Sequence, residues 1–430
     1  MRVLEGKSGV WYLGPGSTVL MPKRFHDGGR LTAEGRAELA RQGVEQPKPA
    51  SRYSLTVVTS TACNLGCPYC FQNTEAAEPG RFDPPRIARE VLDRPMIEKI
   101  AAFTEPRLRA SGLGRLFVLL FGGEPLLNRW GCVELLGRLS QLAPLTASMV
   151  SNGVLLTART AAKLEAAGLR SVQITLDGPR ELHDGTRFTR AGRGTFDKVL
   201  ANCAAVQEAT DLRLSLRLNT TAEGLPLLGG LVADLAQRLD PARCNLDIAP
   251  VLNYDGMFDP VMKRSAADVD VLLRAYADAL ELGFTVGWPG GSDCGFCGRR
   301  DGSTGAVINA DGTLYSCWET IGKAGYEVGS VEGGYTDYPA ERWVSCGEFA
   351  VSATTAAQSQ AFDDALTVGL LEMLRARMRR AAARKAAQAQ ETTQEAAQKE
   401  AQGATQGAVR DTAQEEARPP APASLAVTGS

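Results

Sequence analysis

Residues 62–71 read Ala62-Cys63-Asn64-Leu65-Gly66-Cys67-Pro68-Tyr69-Cys70-Phe71, a Cys-x3-Cys-x2-Cys spacing. The run ahead of it, Tyr53-Ser54-Leu55-Thr56-Val57-Val58-Thr59, alternates and is β-branched, so it reads as a strand with the cysteines in the loop that follows. Three thiolates can hold three irons of a four-iron, four-sulfur cluster and leave the fourth iron without a protein ligand. An open metal position is where a substrate or cosubstrate enters, as at catalytic zinc. Structural zinc sites instead match one Cys-x2-Cys pair with a second, which this triplet does not do.

Composition narrows the field. The chain has 430 residues, a net charge of −2, ten cysteines and two histidines. Near-neutrality argues against broad electrostatic binding to nucleic acid. There is no signal-peptide pattern and no apolar run near the length of a membrane span, so a cytoplasmic protein is expected. Ten cysteines in so long a chain are not a secreted disulfide framework. Cys132, Cys203 and Cys244 stand alone among apolar residues and read as buried core thiols. With only His26 and His183, any metal must rely on sulfur.

Working outward, residues 52–253 alternate strands and helices. Strand-like runs are Tyr53–Thr59, Leu116–Phe121, Thr146–Val150, Ser171–Leu176, Leu212–Leu218 and Asn245–Ala249, and helical stretches between them include Thr157–Ala167, Phe196–Ala209 and Leu228–Leu239. Such alternation builds a parallel sheet with right-handed crossovers. Six units are too few for a regular eight-stranded barrel, so the expected fold is α/β, a partial (β/α)6 TIM-like barrel. Ligands in parallel α/β folds sit at the carboxyl ends of strands, where the remaining motifs fall. Phe121-Gly122-Gly123-Glu124-Pro125 follows the second strand, with glycines that permit close backbone approach to a ligand. Val150-Ser151-Asn152-Gly153 follows the third, with short polar side chains and a turn glycine. Ile174-Thr175-Leu176-Asp177-Gly178-Pro179, then His183, Asp184 and Arg187, follow the fourth, and Arg217-Leu218-Asn219-Thr220-Thr221 ends the fifth.

In that order these motifs resemble the radical S-adenosylmethionine (radical SAM) enzymes over about residues 53–250. Tyr69 matches the aromatic residue before the third cysteine of the cluster loop. The run Leu176-Asp177-Gly178-Pro179…His183-Asp184…Arg187 resembles the peptide-modifying branch. The resemblance implies a 4Fe–4S cluster on Cys63, Cys67 and Cys70. Its open iron would chelate SAM, whose reductive cleavage gives a 5′-deoxyadenosyl radical. It implies Gly122, Gly123 and Glu124 at the SAM amino group, with Ser151 and Asn152 near the cosubstrate. It further implies Thr175 or Asp177 at the ribose, Arg187 at the carboxylate, and Asn219 at adenine. His183 is expected to order its loop rather than carry protons.

Residues 254–350 hold a second sulfur group: Asp293-Cys294-Gly295-Phe296-Cys297, then a hairpin turned at Asp311-Gly312 and ending in Cys317-Trp318, then Cys346. From Cys297 the pattern Cys-x14-Gly-x4-Cys resembles the opening of the SPASM auxiliary-cluster domain. A full SPASM domain continues with several closely spaced cysteines, whereas here only Cys346 remains. That looks like the shortened twitch form, with one auxiliary 4Fe–4S cluster drawn from Cys294, Cys297, Cys317 and Cys346. The ligand set is open between these four, and a four-cysteine zinc site is the alternative.

The flanks are simpler. Residues 1–51 form a short lead with a hairpin expected around Gly14-Pro15-Gly16 and a helix over Leu31–Ala40 N-capped by Thr32; it is a candidate peptide-contacting segment. In residues 351–385, Phe362, Leu366, Leu370, Leu374 and Met378 recur every four residues, which predicts an amphipathic helix near Phe362–Arg384 that caps the auxiliary domain or meets a partner. Residues 386–430 are Ala-, Gln- and Glu-rich and cannot bury a core, so disorder or a loose helix is expected.

The expected function is that of a radical SAM peptide maturase forming an intrapeptide thioether or carbon–carbon crosslink in a ribosomally made precursor peptide. The resemblance implies a reductant such as flavodoxin or ferredoxin, and a separate leader-binding protein where the lead is too short to serve. The alternatives are another radical SAM enzyme of the same layout, either a sulfatase-maturase-like protein oxidase or a twitch-type small-molecule cyclase, and a non-catalytic metal-stabilised binding protein.

Overall fold

The structure is a computed structural model and describes residues 1–15, 17–76, 78, 83–251, 262, 264–289, 300–344 and 353–415. The chain forms two units, Met1–Glu372 and Met373–Ser430.

The first unit opens with an antiparallel sheet of β1 (Arg2–Glu5), β2 (Val10–Leu13) and β3 (Thr18–Met21). The hairpin between β2 and β3 lies where the Gly14-Pro15-Gly16 turn predicts it, although Gly16 itself is outside the described residues. A two-residue pair follows, β4 (His26–Asp27) with β5 (Arg30–Leu31), and then α1 (Ala33–Arg41). Thr32 caps α1, its Oγ1 accepting from Gly35 N at 3.0 Å. Tyr12, Met21, Phe25, Leu39 and Val44 form a small core between this sheet and α1.

The barrel strands are β6 (Tyr53–Ser60), β7 (Leu116–Gly122), β8 (Leu145–Ser151), β9 (Leu169–Leu176), β10 (Arg213–Thr220) and β11 (Cys244–Pro250). Each pairs in parallel with the next. Between them run α2 (Arg94–Ser111), α3 (Arg129–Leu139), α4 (Ala158–Ala166), α5 (Arg180–Thr186), α6 (Phe196–Ala209) and α7 (Leu228–Arg238). Sequential parallel strands joined by helices give the expected partial (β/α)6 fold. Its strands contribute fully buried Leu55, Val57, Val118, Leu120, Met149, Val172, Ile174, Leu214, Leu216 and Leu246.

The sheet does not stop at six strands. After α8 (Ala266–Glu281), the short β12 (Thr285–Val286) adds in parallel to β11. At the other edge β13 (Gly305–Ile308) adds in parallel to β6 and continues antiparallel through β14 (Thr313–Tyr315), β15 (Gly329–Ser330) and β16 (Gly334–Tyr335). The hairpin read from Asp311-Gly312 is therefore present, with Gly312 at φ +87°, but it is continuous with the barrel sheet. Strand edges demand partners for their N–H and C=O groups, and β13 supplies them for β6. A two-residue strand such as β12 leaves no periodic pattern to read.

Helix α9 spans Ala353–Glu415. In the first unit its Leu371 and Val368 pack against Leu4, Trp11 and Leu13 of the N-terminal sheet, and Trp11 Nε1 donates to Glu372 Oε1 at 3.2 Å. This part of the helix thus packs on the lead. In the second unit the helix continues past Arg384 into the stretch for which disorder or a loose helix is expected, and side chains 379–394 are exposed. Ala, Glu, Gln, Lys and Arg favour helix without any buried face. Among the described residues, no helix is long and apolar enough to cross a membrane.

Leu371 is fully buried. Leu371→Ala should lower unfolding stability by about 2–5 kcal/mol, the usual range for a buried leucine truncation. Denaturant titration checks this, and a loss under about 0.5 kcal/mol, the range for a surface change, would show that the helix does not hold the N-terminal sheet.

Candidate active site

The cysteine loop has little regular structure and is held from three sides. Residues 188–190 lie along it: Gly66 N donates to Phe188 O at 3.0 Å, Arg190 N to Asn64 O at 3.2 Å and Arg190 Nε to Cys63 O at 2.9 Å. Asn73 Nδ2 donates to Cys67 O at 3.1 Å. The Gly122-Gly123 turn presses on its start, with Gly123 N on Ser60 O and Glu124 N on Ala62 O, both at 2.9 Å. A Cβ on Gly123 would lie 2.4 Å from Thr61 O and 2.5 Å from Ala62 O, so only glycine fits there.

Cys63, Cys67 and Cys70 line one cavity of ≈ 550 Å³ at the carboxyl ends of the strands. Gly122, Gly123, Ser151, Asn152, Thr175, Arg187 and Asn219 share its wall, so most residues singled out from the sequence converge there.

Glu124 and Asp177 are not on that wall. Glu124 is fully buried and its carboxylate is occupied: Oε2 accepts from Asn152 N at 2.7 Å, and Oε1 from Ser151 Oγ at 2.9 Å and Leu126 N at 3.0 Å. Burial pushes its pKa up, and these three bonds pull it down. Its geometry makes it a brace between the β7 and β8 loops, where the family resemblance implied contact with the SAM amino group. Asp177 Oδ2 likewise accepts from Tyr69 Oη at 2.5 Å and Thr186 Oγ1 at 2.8 Å.

Tyr69 is the hub beside the cavity. Its hydroxyl donates to Asp177 and accepts from Arg187 Nη1 at 2.7 Å and Asn219 Nδ2 at 3.2 Å. Burial raises the Tyr69 pKa well above the ordinary phenol, against the pull of Arg187, so the hydroxyl stays protonated. Arg187 is only 9% exposed, a buried cation rather than a surface charge. Burial disfavours its charge, but Tyr69, Cys67 and Asp177 more than compensate. Its Nε has no hydrogen-bond partner. Asn219 Oδ1 accepts from Arg217 Nε at 3.2 Å, and Arg217 Nη1 pairs with Asp247 Oδ2 at 2.9 Å.

His183 is fully buried behind this network. Asp177 N donates to Nδ1 at 3.3 Å, which places the ring proton on Nε2, 3.1 Å from Thr195 Oγ1. Thr195 Oγ1 in turn donates to Arg187 O at 2.6 Å. Burial, helped by the Arg187 charge, lowers the His183 pKa to about 3.

The donor set fits a sulfur-ligated cluster. Leu65 N lies 3.5 Å and Asn152 Nδ2 3.8 Å from Cys63 Sγ, and Arg86 Nη1 lies 3.4 Å from Cys70 Sγ. Burial raises the thiol pKa values of Cys63 and Cys67, the latter to about 12, with Arg86 and Arg187 respectively opposing the rise. Among the described residues no three His, Cys, Asp or Glu side chains gather closely enough to hold a single metal ion. Three thiols on the wall of one cavity offer ligands to a cluster. The unpartnered Arg187 Nε offers a donor to a carboxylate.

Of the second sulfur group, Cys317 is described and buried; Cys294, Cys297 and Cys346 lie outside the described residues. Trp318, next to Cys317, stacks on Phe121 at 5.8 Å between ring centroids, and Phe121 on Phe71 at 6.3 Å, so the hairpin end forms part of the cavity rim. Arg86, Arg217 and Trp318 had not been singled out from the sequence. Arg86 sits in Asp83-Pro84-Pro85-Arg86-Ile87, which carries no motif.

Residues 57–214 match the Radical SAM superfamily. The chain is 29% identical over 294 residues to GTP 3',8-cyclase of Xanthomonas campestris pv. campestris (strain 8004), covering 63% of this chain and 79% of that protein. It is 36% identical over 152 residues to GTP 3',8-cyclase of Paenarthrobacter nicotinovorans, covering 34% and 37%. The fold is shared with the solved structure of hexahistidine-tagged anSMEcpe with bound AdoMet, at a TM-score of 0.50 and 17% identity, over 71% of this chain and 83% of that one.

The buried ring gives a pH prediction. The fold holds His183 neutral down to about pH 3, whereas the unfolded chain protonates it below about 6.5. Its folded pKa is depressed, so the stability it contributes is complete above about pH 6.5 and falls as pH drops toward 3. Between about pH 6.5 and 4, wild type should lose up to about 1.4 kcal/mol per pH unit more than His183→Asn. Denaturant midpoints of the two proteins across that range check this; parallel curves would refute it.

Proposed function

We propose that this chain, whose residues 57–214 match the Radical SAM superfamily, is a radical SAM peptide maturase that forms an intrapeptide thioether or carbon–carbon crosslink. The observation that carries the reading is the parallel pairing of β13 with β6, the strand that delivers the cysteine loop, which sets the Cys317-Trp318 end of the hairpin at the rim of the cluster cavity. A second cavity of ≈ 990 Å³ shares Arg86 with the first and is lined by Thr74, Ile87, Arg300, Tyr326 and Trp343. That room beside the cluster suits an extended chain.

A 4Fe–4S cluster with SAM, when bound, supplies reductive SAM cleavage and a 5′-deoxyadenosyl radical for hydrogen abstraction. Cys63, Cys67 and Cys70 would hold three irons. The Gly122-Gly123 turn would let backbone approach the cosubstrate, and Ser151, Asn152 and Thr175, on the same cavity wall, would lie near it. Arg187 Nε would meet a carboxylate, and Asn219, oriented by Tyr69 and Arg217, the base. Phe71, Phe121 and Trp318 line the rim with stacked aromatic rings. Asp177 orients Tyr69, and through it Arg187 and Asn219. Cys317, with Cys294, Cys297 and Cys346, would hold an auxiliary 4Fe–4S cluster. A precursor peptide, a flavodoxin or ferredoxin and a leader-binding protein are the partners of this reading, in the cytoplasm.

The likeness to GTP 3',8-cyclase favours a second reading, a twitch-type cyclisation of a nucleotide.

Anaerobic reconstitution with dithionite tests both. Wild type should form 5′-deoxyadenosine, and the Cys63→Ala, Cys67→Ala, Cys70→Ala triple variant should form none; equal yields would remove the radical SAM assignment. With a precursor peptide encoded beside this gene, mass spectrometry should show loss of two hydrogen atoms per bond formed. Turnover of GTP with no change in the peptide would replace the maturase by the cyclase. Replacing Cys294, Cys297, Cys317 and Cys346 together should lower bound iron by about half and stop peptide modification; loss of zinc with iron unchanged would mark a structural zinc site.

A further inference from the structure

The segment after the cysteine loop folds back on it. Asn73 and Arg86 form an antiparallel bridge, flanked by Thr74 N donating to Pro85 O at 2.8 Å and Ile87 N to Gln72 O at 3.1 Å. The backbone of Arg86 is thereby fixed opposite the loop. Its guanidinium spans two acceptors, Nη1 on Cys70 Sγ at 3.4 Å and Nη2 on Gln72 Oε1 at 2.6 Å, while the buried Nε has no hydrogen-bond partner. Gln72 is 1% exposed and its Nε2 is likewise unpartnered. The fork is therefore aimed at one sulfur and tethered by one amide.

We propose that Arg86 is a positioning residue that raises the reduction potential of the cluster held by Cys63, Cys67 and Cys70, acting through the Cys70 sulfur. The inference rests on the reading of those thiols as cluster ligands. Reduction adds one electron to a group already negative through its thiolates. A fixed cation beside one ligand sulfur favours the reduced form, and a hydrogen bond to the sulfur withdraws charge in the same direction. Arg86 is half-buried on the cavity wall, so solvent screens its charge only in part. Lysine is not equivalent, since its point charge lacks the planar fork that joins Cys70 to Gln72.

The test is an EPR-monitored redox titration of the reconstituted full-length protein, following the cluster signal that added SAM perturbs. Arg86→Gln should lower the midpoint so that, at a fixed solution potential, the reduced-to-oxidised ratio falls about tenfold, or about 59 mV for a one-electron couple. Arg86→Lys should fall between it and wild type. A full iron complement in Arg86→Gln with the wild-type midpoint overturns the proposal, as does partial iron loss with an unmoved midpoint, which is what a purely structural role would give. Should Arg86→Gln bind no iron, Gln72→Glu carries the test. A carboxylate against Nη2 offsets the guanidinium in place, so the midpoint should drop, and an unchanged value overturns the proposal. Wild type without iron on these cysteines would instead remove the underlying reading, and this inference with it.

Discussion

The mouth of the barrel depends on one buried carboxylate. Glu124 receives two backbone N–H groups and one hydroxyl, from Asn152, Leu126 and Ser151. A buried charge survives only when hydrogen-bonded, and these bonds satisfy it by joining the loop after β7 to the loop after β8. Glu124 N and Gly123 N reach the opposite way, to Ala62 O and Ser60 O at the start of the cysteine loop. The loops after three successive strands are thus fixed to one another through two residues. Such a scaffold lets thiols in an irregular loop keep defined positions, as a multi-iron site requires.

Behind the cysteines, charge is arranged to stay neutral in sum. Arg187 and Asp177 stand 3.8 Å apart and both touch Tyr69. Either alone would be a costly buried ion, so the pair is kept together. The tyrosine accepts a hydrogen bond from Arg187 and donates one to Asp177 without ionising. His183, held neutral by burial, adds no second cation next to Arg187. An imidazolium there would repel the guanidinium.

The strands were legible because β-branched alternation and the parallel repeat act locally. The run Phe196–Ala209 was read to the residue as α6, and Thr32 was recognised as a cap, since capping is also local. Residue types show where a motif sits, but not which way its side chain turns. Glu124 sits in a ligand-binding motif and spends its oxygens on the protein. Arg187 belongs to a type that is normally exposed, and only the long-range meeting of Tyr69, Asp177 and Asn219 buries it. Arg86 was invisible because its partners come from the fold-back of residues 72–74 on 85–87, a pairing that leaves no periodic trace. The tail shows the opposite limit: helix propensity without an apolar stripe gives a helix in which nothing need be buried.

Continuity of the sheet gives the hairpin its relation to the cysteine loop. β13 is hydrogen-bonded to β6 over Gly305–Ile308 against Ser54–Val57, and the loop bearing Cys63, Cys67 and Cys70 leaves β6 only a few residues later. β14 then carries the chain to Cys317 and Trp318, whose ring meets Phe121 of β7. Because strand pairing fixes register in steps of one residue, the hairpin cannot slide relative to the loop without losing its ladder. The distance between Cys317 and the three loop thiols is therefore set by the backbone of a rigid sheet. An auxiliary cluster of the kind proposed at Cys317 would therefore stand at a separation from the loop cysteines that the sheet fixes, which a hairpin tethered by a flexible linker would not provide.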